Sequence, residues 1–175
     1  MKIASLLPSS TEIAFALGLG KDIVGVSHEC DFPAEAKSKP VLTKSRINAL
    51  KRSDEIDRDV VEIVKNGLSV YDIDEKKLKE LQPDIILTQD QCEVCAVSLK
   101  DVQEATNSFI CNAKIVSLKP AVLSDILNDI LKIGKEAKKE KEAEALVQSL
   151  KSRINRIKSK TKDLANKPKV CCIEW

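Results

Sequence analysis

Residues 2–20 read KIASLLPSSTEIAFALGLG, and the fold follows from how this stretch divides. Lys2 to Leu7 is a short apolar run of the length and character of a buried strand. Pro8-Ser9-Ser10-Thr11-Glu12 follows at once. Ser9 or Ser10 is expected to cap a helix, with Glu12 in its first turn. Ile13, Ala14, Ala16 and Leu17 carry that helix, and Gly18 and Gly20 end it. A buried strand that turns directly into a helix is the opening half of a parallel β–α unit.

Outward from this unit the alternation repeats. Residues 22–27 (DIVGVS) read as a second strand, and 28–40, with two prolines and no period, as a loop. Ile56, Val60, Ile63 and Val64 mark a helix over 54–66 that stops at Gly67. Residues 69–73 are a short extended piece. Residues 74–81 form a short helix that ends before Pro83. DIILT at 84–88 is a buried strand, a helix covers 97–106, and KIVSL at 114–118 is another strand. The expected fold class is α/β, a mainly parallel Rossmann-like sheet flanked by helices on both faces.

Beyond Ala121 the pattern changes. Leu123, Ile126, Leu127, Ile130, Leu131 and Ile133 form one apolar stripe. Leu146, Val147, Leu150, Ile154 and Ile157 form another. Between them, residues 135–145 (KEAKKEKEAEA) favour helix but are almost wholly charged. One continuous helix of about 40 residues would span roughly 60 Å; two helices kinked near 138–142 are the alternative. After Pro168 comes KVCCIEW, an apolar strand with no helix behind it. The chain thus divides into an N-terminal lobe over 1–120, a long linking helix over 121–167, and residues 168–175 as the first strand of a further lobe that these 175 residues do not include.

Composition narrows the function classes. With 175 residues, 43% of them hydrophobic, the chain can bury one core of ordinary size. Basic residues number 29 against 27 acidic, and aromatics are only 3%. Neither a basic face nor stacking residues recommend nucleic acid. No apolar run reaches the length of a membrane span. The amino-terminal run is short for a secretory leader and stops at Pro8. A cytoplasmic location is the direct reading; a leader already removed would put the protein in the periplasm or outside the cell.

Ligands of open α/β sheets bind at the carboxyl ends of the strands. The residues that follow the strands are therefore the candidates. They are His28, Glu29 and Cys30 after the second strand, Tyr71 and Asp72 near the extended piece, and Gln89, Asp90 and Gln91 after DIILT. Cys92 and Cys95 then form C-x-x-C. The single histidine, the single tyrosine and three of the six cysteines fall on this one edge.

His28, Cys30, Cys92 and Cys95 make a Cys3His set suited to zinc or an iron–sulfur cluster. The other reading takes Cys30 and Cys92 as packed thiols and His28 as a polar rim residue. Cys171 and Cys172, adjacent in a strand, would point to opposite faces, and Cys111 reads as structural. Ser10-Thr11-Glu12 could be a nucleophile beside an acid, though a capping role explains them more cheaply. No G-x-S-x-G, Walker A or G-x-G-x-x-G motif occurs. With one histidine and no evident base–nucleophile pair, an enzyme is not expected.

Four segments, SLLPSSTEIAFALGLG, IVGVSHECDFP, PDIILTQDQCEVCAV and NKPKVCCIEW, resemble in order the class III substrate-binding proteins of ABC importers. That family binds vitamin B12, haem and iron-siderophores, and the likeness is greatest to its cobalamin-binding branch. The resemblance implies two α/β lobes joined by a rigid helix, with a chelate clamped between them and handed to a membrane permease. It implies ligand contacts from His28, Glu29, Cys30, Tyr71, Gln89, Asp90 and Gln91. An intracellular zinc or iron–sulfur protein using the same edge is the competing expectation. A homodimer exchanging the strand from Val170 to Trp175 is a third.

Overall fold

The computed structural model describes residues 1–66, 69–90, 99–107, 113–164, 166 and 168–173. Strand β1 (Ile3–Ser5) leads into helix α1 (Pro8–Ala16), and β2 (Ile23–Val26) follows. A 3-10 turn at Ala34–Ser38 interrupts the stretch expected to be loop. Next come β3 (Thr43–Ser45), α2 (Ser53–Lys65), β4 (Tyr71–Ile73), α3 (Glu75–Leu81), β5 (Ile85–Gln89), α4 (Leu99–Asn107) and β6 (Lys114–Leu118). Helices α5 (Leu123–Glu136) and α6 (Glu140–Thr161) complete the order.

Strands β2, β1, β5 and β6 lie side by side in that order, all parallel. The chain runs from β1 to β2 on one side and reaches β5 on the other. The topological switch point therefore falls between β1 and β5. Short strands β3 and β4 form a separate antiparallel pair that sets Ser45 opposite Tyr71. The sequence pattern gave no sign of β3, because TKS has neither length nor apolar alternation.

Side-chain alternation along the strands feeds two cores. Ile3, Ile85 and Leu87 pack with Leu17, Ile130, Ile133 and Val147, under α1, α5 and α6. Ala4, Leu6 and Ile86 pack with Leu42, Leu78 and Val102, under α3 and α4. Helices thus cover both faces of the parallel sheet, as the alternation implied.

Three local expectations are corrected. Helix α1 is not capped by Ser9 or Ser10: Pro8 holds its first position, Leu7 precedes it without a side-chain cap, and Ser10 lies buried inside it. Proline suits that position because its φ is already helical and it has no N–H to satisfy.

The single helix over 121–167 is two. Lys138 takes a left-handed backbone (φ 56°), and the amide of Lys139 donates to the Gly134 carbonyl at 2.6 Å. The bend lets Ala143, fully buried, press on Gly134. In a continuous helix these two would stand about 13 Å apart along the axis. The long helix is therefore the 22-residue α6 alone.

Residues 168–173 belong to no strand. Val170 and Ile173 are exposed, so the apolar run KVCCI meets no ladder among the described residues.

Candidate functional site

The carboxyl ends of the strands are held in register by backbone bonds just beyond them. Ser27 N–H donates to Ser5 O at 2.9 Å, Leu6 N–H to Leu87 O at 2.9 Å, and Asp90 N–H to Leu118 O at 3.1 Å. His28 and Glu29 follow β2, and Gln89 and Asp90 close β5. With neighbouring strands about 4.8 Å apart, the ends of β2 and β5 are roughly 10 Å from each other. Lys119, after β6, pairs with Asp90 at 3.6 Å.

Tyr71 reaches this edge from β4. Its ring centroid lies 5.5 Å from that of His28, the planes tilted by 49°. Its hydroxyl donates to Glu29 Oε1 at 3.5 Å. His28, Glu29 and Tyr71 therefore come together as the sequence reading required, although Tyr71 is more than forty positions along the chain. Asp72 beside it accepts from Arg46 Nε at 2.6 Å and pairs with Lys44 at 3.4 Å. The Arg46 guanidinium, together with Lys44, holds the Asp72 carboxyl below the usual carboxylate range. Arg46, Tyr71 and Asp72, with Lys100 and Asp101, line a polar hollow of about 290 Å³.

Cys30 departs from the rim. It is 5% exposed and belongs to the core under α1. Its sulfur lies 3.1 Å from Thr11 Oγ1 and contacts the Ser5 carbonyl at 4.0 Å. Ser5 Oγ in turn bonds Ser10 Oγ at 2.7 Å and accepts from Thr11 Oγ1 at 2.8 Å. These hydroxyls fasten α1 to β1, which accounts for Ser10 and Thr11 without a nucleophilic role. Burial pushes the Cys30 thiol up, against a partial offset from Thr11, so it is poorly suited to ionise. Among the described residues no three His, Cys, Asp or Glu side chains gather as a metal site. Gln91, Cys92, Cys95 and Cys111 lie outside the described residues.

The sequence reading missed Thr43, Ser27 and Arg46. Thr43 is 5% exposed and sits under His28, accepting from its backbone N–H at 3.0 Å and meeting Nδ1 at 2.7 Å. Its contact follows from the parallel bridge of Val41 beside Val26, which no local pattern announced: Val26 N–H donates to Pro40 O at 2.9 Å and Leu42 N–H to Val26 O at 2.8 Å. A different hollow of about 630 Å³ lies between α1, α5 and α6, walled by Ile13, Phe15, Phe32, Ile126, Ile130 and Leu146 among others. None of the rim residues lines it.

A parallel sheet with polar side chains gathered at its switch-point edge defines one lobe of an α/β binding protein. The family model described as "Periplasmic binding protein" matches residues 3–175, and the chain belongs to that family. An uncharacterised ABC transporter substrate-binding lipoprotein, YvrC, of Bacillus subtilis is 27% identical over 166 residues, covering 94% of this chain and 43% of that protein. The vitamin B12-binding protein of Vibrio cholerae is 33% identical over 97 residues, 48% of this chain and 35% of that one. A structure described as a possible iron-binding (periplasmic solute-binding) protein from Staphylococcus epidermidis superposes with a TM-score of 0.68 at 25% identity, over 95% of this chain and 53% of that chain. This chain thus spans about half the length of the proteins it matches. Their descriptions as periplasmic or lipoprotein give no support to a cytoplasmic location. No helix among the described residues is long and apolar enough to cross a membrane.

Proposed function

We propose that this chain forms one jaw of a non-catalytic binding protein for a metal chelate, of the kind that delivers cobalamin, haem or iron-siderophore to an ABC permease. The observation that carries the reading is the cluster of His28, Glu29 and Tyr71 beside Gln89 and Asp90, all on the carboxyl edge of a switched parallel sheet. Aromatic surface, hydrogen-bond donors and a cationic side chain at Lys119 suit a large, flat, polar-edged ligand. The membership of the periplasmic binding protein family and the description of a relative as a vitamin B12-binding protein support it.

The opposing jaw belongs to the part of such proteins that this chain does not span. Helix α6 and the apolar run after Pro168 are the route by which the chain would enter that jaw. A single jaw offers one face of contacts and leaves the ligand's other face in water, so its affinity should be far below that of a closed clamp.

A zinc or iron–sulfur role for His28, Cys30, Cys92 and Cys95 would require Cys30 to leave Thr11 and the core, which counts against that set.

Titration calorimetry with cobalamin, haemin and a ferric siderophore tests the reading. Saturable heat with one of them supports it. No heat with any, for the chain joined to a second lobe, removes it.

A further inference from the structure

The hydrogen bonds under His28 can be counted proton by proton. Thr43 Oγ1 has one hydrogen to give and two lone pairs to receive with. One lone pair takes the His28 backbone N–H at 3.0 Å. The contact with Ser27 Oγ at 3.2 Å has Thr43 as donor, and the Ser27 oxygen also receives the Glu29 N–H at 3.3 Å. The Thr43 hydrogen is thus used. The remaining contact, Thr43 Oγ1 to His28 Nδ1 at 2.7 Å, then has a hydrogen only if the ring supplies it. Were Thr43 instead to donate to Nδ1, the Ser27 hydroxyl would have to donate to Thr43, the reverse of the direction in which the two hydroxyls are oriented. With Thr43 as the donor to Ser27, the neutral tautomer that satisfies all three contacts has Nδ1 protonated.

That tautomer leaves the lone pair on Nε2, at the far side of an exposed ring. Tyr71, tilted against the ring at 5.5 Å, limits its rotation. A neutral imidazole whose other nitrogen donates to a fixed acceptor is the arrangement that metal-binding histidines use.

We infer that Thr43 is a positioning residue that holds His28 with its Nε2 lone pair outward, as an axial donor to a metal chelate with an exchangeable coordination site. The inference rests on the chelate-binding reading above and narrows it to chelates of the corrinoid or porphyrin type. In the step itself, the Nε2 lone pair forms a bond to the metal, the metal–water bond breaks, and water leaves. The metal keeps its oxidation state and no proton is transferred. A siderophore that already fills the coordination sphere of its iron has no place for this donor.

Two measurements on the tag-free chain test the inference. The chain has a single histidine, so one set of imidazole ¹⁵N resonances reads the tautomer without any ligand. At a pH where the ring is neutral, the spectrum should show Nδ1 protonated and Nε2 bare. Thr43→Val should lose that preference and Thr43→Ser should restore it. A proton on Nε2 in the unsubstituted protein overturns the inference.

The second measurement adds diaquocobinamide and follows its visible bands, with equilibrium dialysis alongside. Nitrogen ligation should shift the bands, and His28→Gln should abolish the shift. Thr43→Val should weaken the ligation about 10- to 100-fold, with Thr43→Ser near the original affinity. Ferrioxamine B should show no spectral change. Cobinamide bound without a band shift, or a shift that survives His28→Gln, overturns axial ligation and leaves the chelate-binding reading standing. No binding of cobinamide, haemin or ferrioxamine B, either by this chain or by the chain joined to a second lobe, overturns both.

Discussion

Helix α6 carries one apolar stripe whose two halves meet different surroundings. Val147 and Ile157 lie on the same face, and both belong to the series Val147, Leu150, Ile154, Ile157. Val147 is 5% exposed and packs in the core with Ile130 and Ile133. Ile157 is 61% exposed, and Leu164 beyond the helix is 51% exposed. The contrast teaches that periodicity reports which residues share a face. It does not report whether anything covers that face. The first half of α6 is part of the lobe; the second half extends past it with its apolar side bare.

The contrast is most severely tested by the same substitution on each side of it. Ile133→Ala removes a side chain that is 1% exposed at the centre of the α1–α5–α6 core. It should destabilise the protein by about 2–5 kcal/mol in urea unfolding. A loss below about 1 kcal/mol would mean that α5 and α6 are not held on the sheet as described.

Gly134→Ala sharpens the same point through its sign. In one uninterrupted helix the change to alanine would stabilise by about 1 kcal/mol. In the bent arrangement the new methyl group meets the Ala143 methyl and approaches the Lys139 carbonyl at 3.1 Å. The expected outcome is destabilisation of about 1–3 kcal/mol from overpacking. A higher urea midpoint would restore the straight rod.

The same position shows where sequence reading stops. The strands, their parallel arrangement and the helices on both faces were legible, because apolar runs and turn residues are local signals. The stripes of α5 and α6 were legible too. The bend was legible only as the alternative, near 138–142, because residues 135–145 all favour helix and nothing local forbids continuation. What selects the bend is the fit of Ala143 against Gly134, nine positions away. The site divides in the same manner. His28, Glu29, Gln89 and Asp90 could be placed because they directly follow strands. Tyr71 could be placed on the edge, but its contact with His28 could not be foreseen. Thr43 was hidden, since its role depends on the parallel bridge of Val41 beside Val26, which only tertiary structure creates. Cys30 was assigned to the rim by its neighbours in the sequence, yet its side chain turns to Thr11 and the core.

A smaller version of the contrast exists among charges. Asp72 is half-buried between Arg46 and Lys44, whereas Asp54, paired with Arg58, is largely exposed. Asp72→Asn should cost about 0.2–1 kcal/mol at neutral pH, and Asp54→Asn less. The pH dependence has a definite sign. The folded Asp72 carboxyl sits below its unfolded value because Arg46 and Lys44 favour the ionised form. Its contribution is therefore present above the unfolded carboxylate range, near pH 4, and is lost as pH falls through the lower folded value. The substituted protein should lack this part of the acid destabilisation. Equal acid sensitivity in both proteins would show that the Arg46–Asp72 pair adds nothing.

The least effect is expected where the stripe lies bare. Ile157→Ala deletes the same atoms as Ile133→Ala, yet Ile157 has little contact to lose. Its change should stay within about 0.5 kcal/mol, partly offset by the better helix propensity of alanine. The physical claim is that transfer from water, not residue type, supplies the stabilisation. The distal half of α6 is therefore a surface awaiting cover. If the second jaw packs on it, Ile157→Ala should become destabilising in the longer protein while remaining near neutral in this chain. If two copies instead cover each other through α6 or the run from Val170 to Ile173, light scattering should find a dimer. The substitution should then lower stability in a concentration-dependent way. A large, concentration-independent loss in the monomer would mean that Ile157 is already buried, and the division of α6 into a packed and a bare half would fail.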